Sequence, residues 1–334
     1  MSKRLRVAVV GVGAFGRNHA RVYSELAKEG LVELAGVVDG DLVRGASVAV
    51  EFGTKAFSSV DALLAATSVD AVSVAVPTTA HLPVARQLME AGVDVLIEKP
   101  LAPSLAAADE IMQVAEKQGR IAQVGHLERF NPAVRATLPL LTHPMFFEVH
   151  RLSVFTPRSL DVDVVLDLMI HDLDLVLAMT RSPVRELRAV GLPVLTRKVD
   201  IASVRVEFEN GCLANFTASR ISTERVRKLR FFQPGQYVSL DFSRKDVFAL
   251  TIQPAEGGAP RISEYKPKVE EAEPLRTEIS SFLESVQSRR PPEVTLADGR
   301  AALELALGIG ACMVAHSQRA KIDEVVRNFP PKVF

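Results

Sequence analysis

Only two cysteines, Cys212 and Cys312, occur in 334 residues, and they stand far apart, outside any Cys-x-x-Cys spacing. That arithmetic excludes a disulfide framework and a zinc knuckle, and a reduced, cytoplasmic setting is expected. Excess charge is missing too, since 40 basic residues balance 40 acidic ones. A neutral chain carries no broad electrostatic footprint for nucleic acid or an acidic membrane, so neither partner is expected, and any bound anion must be met by a local cluster. No run approaches the roughly 18 apolar residues of a membrane helix. Repeats and low-complexity tracts are absent, and the seven histidines show no spacing that gathers a metal site, so no metal is expected. The opening Lys3-Arg4-Leu5-Arg6 before Val7-Ala8-Val9-Val10 has the outline of a signal peptide. It runs instead into Gly11, Gly13 and Gly16 and an amphipathic segment, without a cleavage site.

What is present is a chain of about two domain lengths with 48% hydrophobic and 24% charged residues, a globular composition. From Arg6 to Val124, short β-branched runs (6–10, 32–38, 55–57, 71–76, 94–98 and 120–124) alternate with helical segments that stop at Gly30, Gly53, Gly92 and Gly119. The pattern predicts an α/β fold, a doubly wound parallel sheet over residues 1–124. After it the strands lengthen, alternate and are joined by turns, which predicts an α+β domain over 125–334 with a large, mostly antiparallel open sheet. Its first helix is capped by Asn131 before Pro132. Asn210-Gly211 predicts a hairpin turn with φ > 0 at both central residues, and 255–274 reads as loop.

Gly11-Val12-Gly13-Ala14-Phe15-Gly16 follows the first strand and opens the first helix, the context that a dinucleotide fingerprint requires. Asp39, at the end of the second strand, can accept both adenosine ribose hydroxyls and repel a 2′-phosphate, so NAD is favoured over NADP. Arg44, close by in sequence, is the residue that would argue for NADP.

Lys99, in Glu98-Lys99-Pro100 at the end of the fifth strand, lies at the carboxyl edge where open α/β sheets bind ligands. Its ammonium can hold a substrate oxygen as charge develops. Asp167 and His171 share one face of a helical stretch, where the histidine is suited to take a proton from an alcohol and the carboxylate to orient it. Read alone, His171 is equally a satisfied core histidine, with Asp172 and Asp174 facing solvent.

Together with Pro77-Thr78-Thr79-Ala80-His81, these motifs resemble the Gfo/Idh/MocA oxidoreductases along essentially the whole chain. The resemblance implies a Rossmann domain whose cofactor edge includes Pro77, Thr78, His81, Glu98 and Lys99. It also implies Lys99, His171 and Asp167 at the active site, and homodimers or homotetramers joined through the open sheet. Two departures stand out: Asp163-Val164-Val165-Leu166 and Met169 occupy positions where many members carry glycine. Gly125-His126-Leu127-Glu128-Arg129-Phe130-Asn131-Pro132 is similar to the branch that oxidises the 3-hydroxyl of UDP-N-acetylglucosamine. The expected substrate is therefore a sugar nucleotide. Arg129, Asn131, Arg151, Arg158 and Arg220 are the candidate substrate residues, because the planar guanidinium fork suits phosphate oxygens. Two alternatives stay open, a free sugar, inositol or sugar acid as substrate, and a non-catalytic nucleotide sensor.

Overall fold

The computed structural model describes residues 4–156, 162–253, 259–322 and 324. The chain divides into two compact units, Met1–Leu127 with Glu273–Leu303, and Glu128–Ala272 with Glu304–Phe334.

The first unit is built from β1 (Leu5–Val10), α1 (Ala14–Lys28), β2 (Val32–Val38), α2 (Leu42–Phe52), β3 (Ala56–Phe57), α3 (Val60–Ala66), β4 (Ala71–Val74), α4 (His81–Glu90), β5 (Asp94–Glu98), α5 (Leu105–Gln118) and β6 (Ala122–Gly125). Its parallel sheet has the order β3-β2-β1-β4-β5-β6. Every residue of β4, β5 and β6 is buried, as a sheet covered on both faces demands. Gly53 and Gly119 close α2 and α5 in the left-handed region, at φ +66 and +59, where a side chain would be strained. Strand order reverses between β1 and β4, and the crevice above that switch point is where doubly wound sheets take ligands.

The second unit contains α6 (Pro132–Thr137), β7 (Phe146–Leu152), α7 (Ile170–Thr180), β8 (Val184–Leu192), β9 (Ile201–Phe208), β10 (Leu213–Ser219), β11 (Val226–Gln233), β12 (Gln236–Asp241), β13 (Asp246–Gln253) and β14 (Arg261–Tyr265). Its eight-stranded sheet runs β14-β13-β12-β11-β7-β10-β9-β8, antiparallel except between β7 and β10. Residues of β7 alternate between half-buried and buried, so one face carries the core. β14 lies inside the stretch expected to be loop. All five of its residues are exposed, so no alternation marks it. The turn between β9 and β10 also differs from expectation. Gly211 has φ +82, but Asn210 is not in the positive-φ region; its side-chain oxygen instead accepts from Cys212 N at 3.0 Å.

Two helices close the chain, α8 (Pro274–Ser288) and α9 (Leu296–Arg319). A single cut after Val124 places both in the second domain, yet α8 belongs to the first unit. Its Ile279, Phe282 and Val286 join the core formed by Val7, Tyr23 and Leu26. Helix α9 is long and apolar enough, by length and composition, to cross a membrane. It buries Ala302, Leu303, Ala306 and Ile309, and 33% of its most apolar stretch is buried.

Candidate active site

Each glycine of the fingerprint has its own physical reason. A Cβ on Gly11, at φ +84, would stand 2.7 Å from the Ala75 carbonyl oxygen, and one on Gly16 would run into the Gly11 carbonyl. One on Gly13 would meet nothing within 4 Å. Two of the glycines therefore permit close packing of turn, helix and β4, while the third leaves open the space that a pyrophosphate needs. Gly13 caps α1 without a side-chain hydrogen bond, and the first turn contains no acidic residue, so its backbone N–H groups are presented to an anion. Ala14 and Phe15 are exposed beside it.

Asp39 follows β2 and is nearly buried. Its carboxylate accepts from Val12 N at 2.9 Å and from Asp41 N at 2.8 Å, which ties it to the glycine turn. Arg44 adds Nε at 2.9 Å and Nη2 at 2.7 Å. The Arg44 guanidinium, followed by the two backbone N–H groups, outweighs burial and holds the Asp39 carboxyl below the usual carboxylate range. An open hollow of about 770 Å³, lined by Gly11, Gly13, Asp39, Arg44, Ser59 and Pro77, is shaped and charged for the adenosine half of a dinucleotide. Arg44 thus engages the carboxylate that favours NAD. Thr78 is half-buried in the turn after Pro77.

His81 is placed differently from the other cofactor candidates. It is 1% exposed, with Nδ1 3.1 Å from the Pro100 carbonyl oxygen and Nε2 3.0 Å from that of Val76. It ties the loop after β4 to the Lys99-Pro100 segment from beneath, and its burial lowers its pKa. Lys99 is half-buried after β5 and precedes a cis proline. Glu98 Oε2 accepts from Lys99 N at 3.3 Å.

In the second unit a widened π turn, Val165–Met169, carries Asp167 and leads into α7, whose second residue is His171. Such turns recur at functional sites. Both side chains are half-buried. The neighbouring acids do not face solvent: Asp172 and Asp174 are 2% and 1% exposed. Arg129 grips Asp174 through Nε at 2.6 Å and Nη2 at 2.7 Å. Arg151 grips Asp172 through Nε and Nη2, both at 2.7 Å, and donates from Nη1 to Glu128 at 3.0 Å. These two forks fix the helix that carries His171. A signal for them exists in the sequence, because Ile170–Thr180 is so apolar all round that Asp172 and Asp174 cannot both reach solvent.

The other substrate candidates are mostly engaged inside this unit. Arg220 is buried and donates from Nη2 to the Val162 carbonyl at 2.7 Å. Asn131 caps α6 by accepting from Ala133 N at 3.0 Å, and donates to Glu128 at 3.1 Å. Arg151, at 3% side-chain exposure, is a strut between β7 and α7, a different use from the expected phosphate contact. Arg129 keeps 15%. Arg158 lies outside the described residues.

Comparison with known proteins agrees with this geometry. Residues 5–126 match the oxidoreductase family with an NAD-binding Rossmann fold (GFO_IDH_MocA), and residues 143–232 match the GFO/IDH/MocA C-terminal domain. The chain belongs to the Gfo/Idh/MocA oxidoreductase family. It is similar to UDP-N-acetylglucosamine 3-dehydrogenase of Acidithiobacillus ferrooxidans, with 38% identity over 94% of this chain and 99% of that one. A crystal form of that enzyme superposes with a TM-score of 0.86 at 37% identity, covering 94% of this chain and 99% of the other. Inositol 2-dehydrogenase of Corynebacterium glutamicum is 37% identical, but over 40% of this chain and 39% of its own. As a member of this family the chain is an NAD-dependent dehydrogenase acting on a CH–OH group. The glycine turn, the open hollow and the buried Asp39 all lie within the stretch that matches the NAD-binding Rossmann fold.

Proposed function

We propose that the enzyme oxidises the 3-hydroxyl of UDP-N-acetylglucosamine to a ketone, in the cytoplasm. The observation that carries this reading is that the 38% identity to the A. ferrooxidans enzyme extends over 94% of the chain. The likeness therefore includes the unit that would select the substrate, whereas the inositol dehydrogenase match covers only 40% of the chain. NAD, when bound, accepts the hydride. His171 takes the hydroxyl proton, Asp167 orients the imidazole, and the Lys99 ammonium holds the oxygen while negative charge passes through it. Proton and hydride leave separately, and the C–OH bond becomes C=O. Arg129 is assigned to the diphosphate, since its guanidinium is the most exposed among the described candidate arginines. Asn131 and Arg220 shape the surrounding wall, and Arg151 holds the helix of His171.

NADH formation is the test. UDP-N-acetylglucosamine with NAD, and an aminotransferase to remove the ketone, is expected to give steady turnover, with NADP weaker because Asp39 opposes a 2′-phosphate. Activity with a free sugar or inositol but none with the sugar nucleotide would sink the substrate assignment. Activity with none of them would favour the sensor reading.

The open sheet offers the surface for assembly into a homodimer or homotetramer. Glu148, His150, Arg188, Arg205 and Asn215 line an open hollow of about 980 Å³ on it, with charges of both signs that a second copy can complement. Sedimentation equilibrium is expected to show a dimer or tetramer mass. A monomer mass at micromolar concentration would refute the assembly.

A further inference from the structure

Beneath the end of β5, inside the first unit, runs a buried polar chain that the proposed chemistry leaves unused. His19 of α1 is fully buried, with Nε2 3.0 Å from Glu98 Oε1 and Nδ1 3.1 Å from Ser73 Oγ on β4. Ser73 Oγ is in turn 2.9 Å from the hydroxyl of Tyr23, which lies one turn along α1 and shares the His19 face. One proton assignment satisfies every member. Tyr23 donates to Ser73, Ser73 donates to His19 Nδ1, and Nε2–H donates to the Glu98 carboxylate. In the opposite direction the Tyr23 hydroxyl hydrogen would point away from Ser73, its hydrogen-bond partner among the described residues.

The carboxylate has a built seat. A Cβ on Gly125 of β6 would stand 2.8 Å from Glu98 Oε1, so glycine there leaves the carboxylate the place it occupies. Glu98 Oε2 accepts from the main-chain N–H of Lys99. Behind it, Glu278 of α8 is 0% exposed, and neither of its carboxyl oxygens has a hydrogen-bond partner. Burial, reinforced by the charge of Glu98, pushes its pKa well above the ordinary value, which favours the neutral form. Gln123 of β6 reaches the Glu278 carbonyl at 3.5 Å. His81 of α4 also lies in the field of Glu98, with three carbonyls against its ring nitrogens, and Tyr23 lies in the field of Glu278.

We propose that Tyr23, Ser73 and His19 are positioning residues for Glu98 and, through it, for Lys99, and that Glu278 limits this pocket to a single negative charge. With one Glu98 oxygen fixed by His19, the other stays aimed at the Lys99 N–H, and the strand end that presents the lysine is held. The inference rests on the assignment of Lys99 to the reacting oxygen.

The test compares His19→Leu, His19→Gln, Ser73→Ala and Lys99→Met. His19→Leu is expected to lower kcat up to about 10²-fold, the order that a small misplacement costs, with the NAD dissociation constant within a few-fold. His19→Gln should recover most of that loss, because its amide N–H can stand near the place of Nε2. Ser73→Ala keeps the fold's shape and should lower kcat in the same sense; it decides the matter if His19→Leu does not fold. Infrared difference spectra at pH 7 should show a protonated carboxyl band in the wild type that Glu278→Gln removes. Equal melting-temperature losses in both His19 variants, with kcat per folded enzyme unchanged, would mean a merely structural role and overturn the proposal. Absence of the carboxyl band would overturn the part assigned to Glu278. If Lys99→Met retains turnover, the functional reading itself fails; if Lys99→Met is inactive while His19→Leu and Ser73→Ala turn over normally, only this inference does.

Discussion

Lys99→Met and His171→Asn are each expected to cut turnover by about 10² to 10⁴-fold, the range for losing a general acid or base, while NAD affinity stays within a few-fold. The split follows from where each group acts. The adenosine hollow is lined by Gly11, Gly13, Asp39 and Arg44, and neither Lys99 nor His171 is part of it. Methionine keeps the length of lysine and removes only its charge. Asparagine keeps a polar side chain at His171 and removes the titrating ring. An interaction made only in the transition state lowers kcat and kcat/KM together. Steady-state rates beside isothermal titration of NAD check both halves. Near-wild-type turnover in His171→Asn would pass the base role to Asp167, and a collapse of NAD binding in Lys99→Met would show that the lysine works in the ground state.

The second large effect is on stability. Arg151→Met should destabilise the protein by about 3–5 kcal/mol, the usual result of removing one partner from a buried ion pair. The pair meets the conditions for that magnitude: the side chains of Arg151 and Asp172 are 3% and 2% exposed, and Glu128 depends on the same guanidinium. Methionine fills much of the space over the Phe242 ring, which the guanidinium carbon approaches to 5.3 Å, so lost packing is the smaller part. The sign with pH is fixed. In the variant Asp172 becomes a buried carboxylate without its cation, so the deficit should grow as pH rises and shrink once the carboxyl is protonated. Arg151→Met combined with Asp172→Leu should recover part of the loss, because no unpaired charge remains at that position. By contrast Arg244→Met removes a pair with Asp241 whose arginine is 68% exposed, and it should leave the urea midpoint unchanged. Urea unfolding at two pH values measures all of these. An Arg151→Met midpoint equal to wild type would show that the clamp does not hold the helix of His171.

Chemistry that is local in the chain was legible in the residues themselves. The parallel sheet follows from six short apolar runs separated by helices with readable stops, because a run of five or six residues buried on both faces has few alternatives. The glycine turn and Asp39 were legible because a tight strand-to-helix turn needs particular residues at particular spacings. Lys99 and His171 are proposed on the same kind of signal, one at a strand end and the other one turn from a carboxylate. Tertiary packing decided the rest. β14 carries no burial pattern, so pairing with β13 alone makes it a strand. Helix α8 joins the first unit because Ile279, Phe282 and Val286 complete a core begun near the chain's start, a partnership no window of sequence contains. The expected phosphate ligand Arg151 became a strut for the same reason. Its charge was visible, but the carboxylates that claim it are 21 and 23 residues away in sequence. A single sequence specifies which groups a residue can engage; only the fold brings the opposite charge within 3 Å, where desolvation makes that partner obligatory.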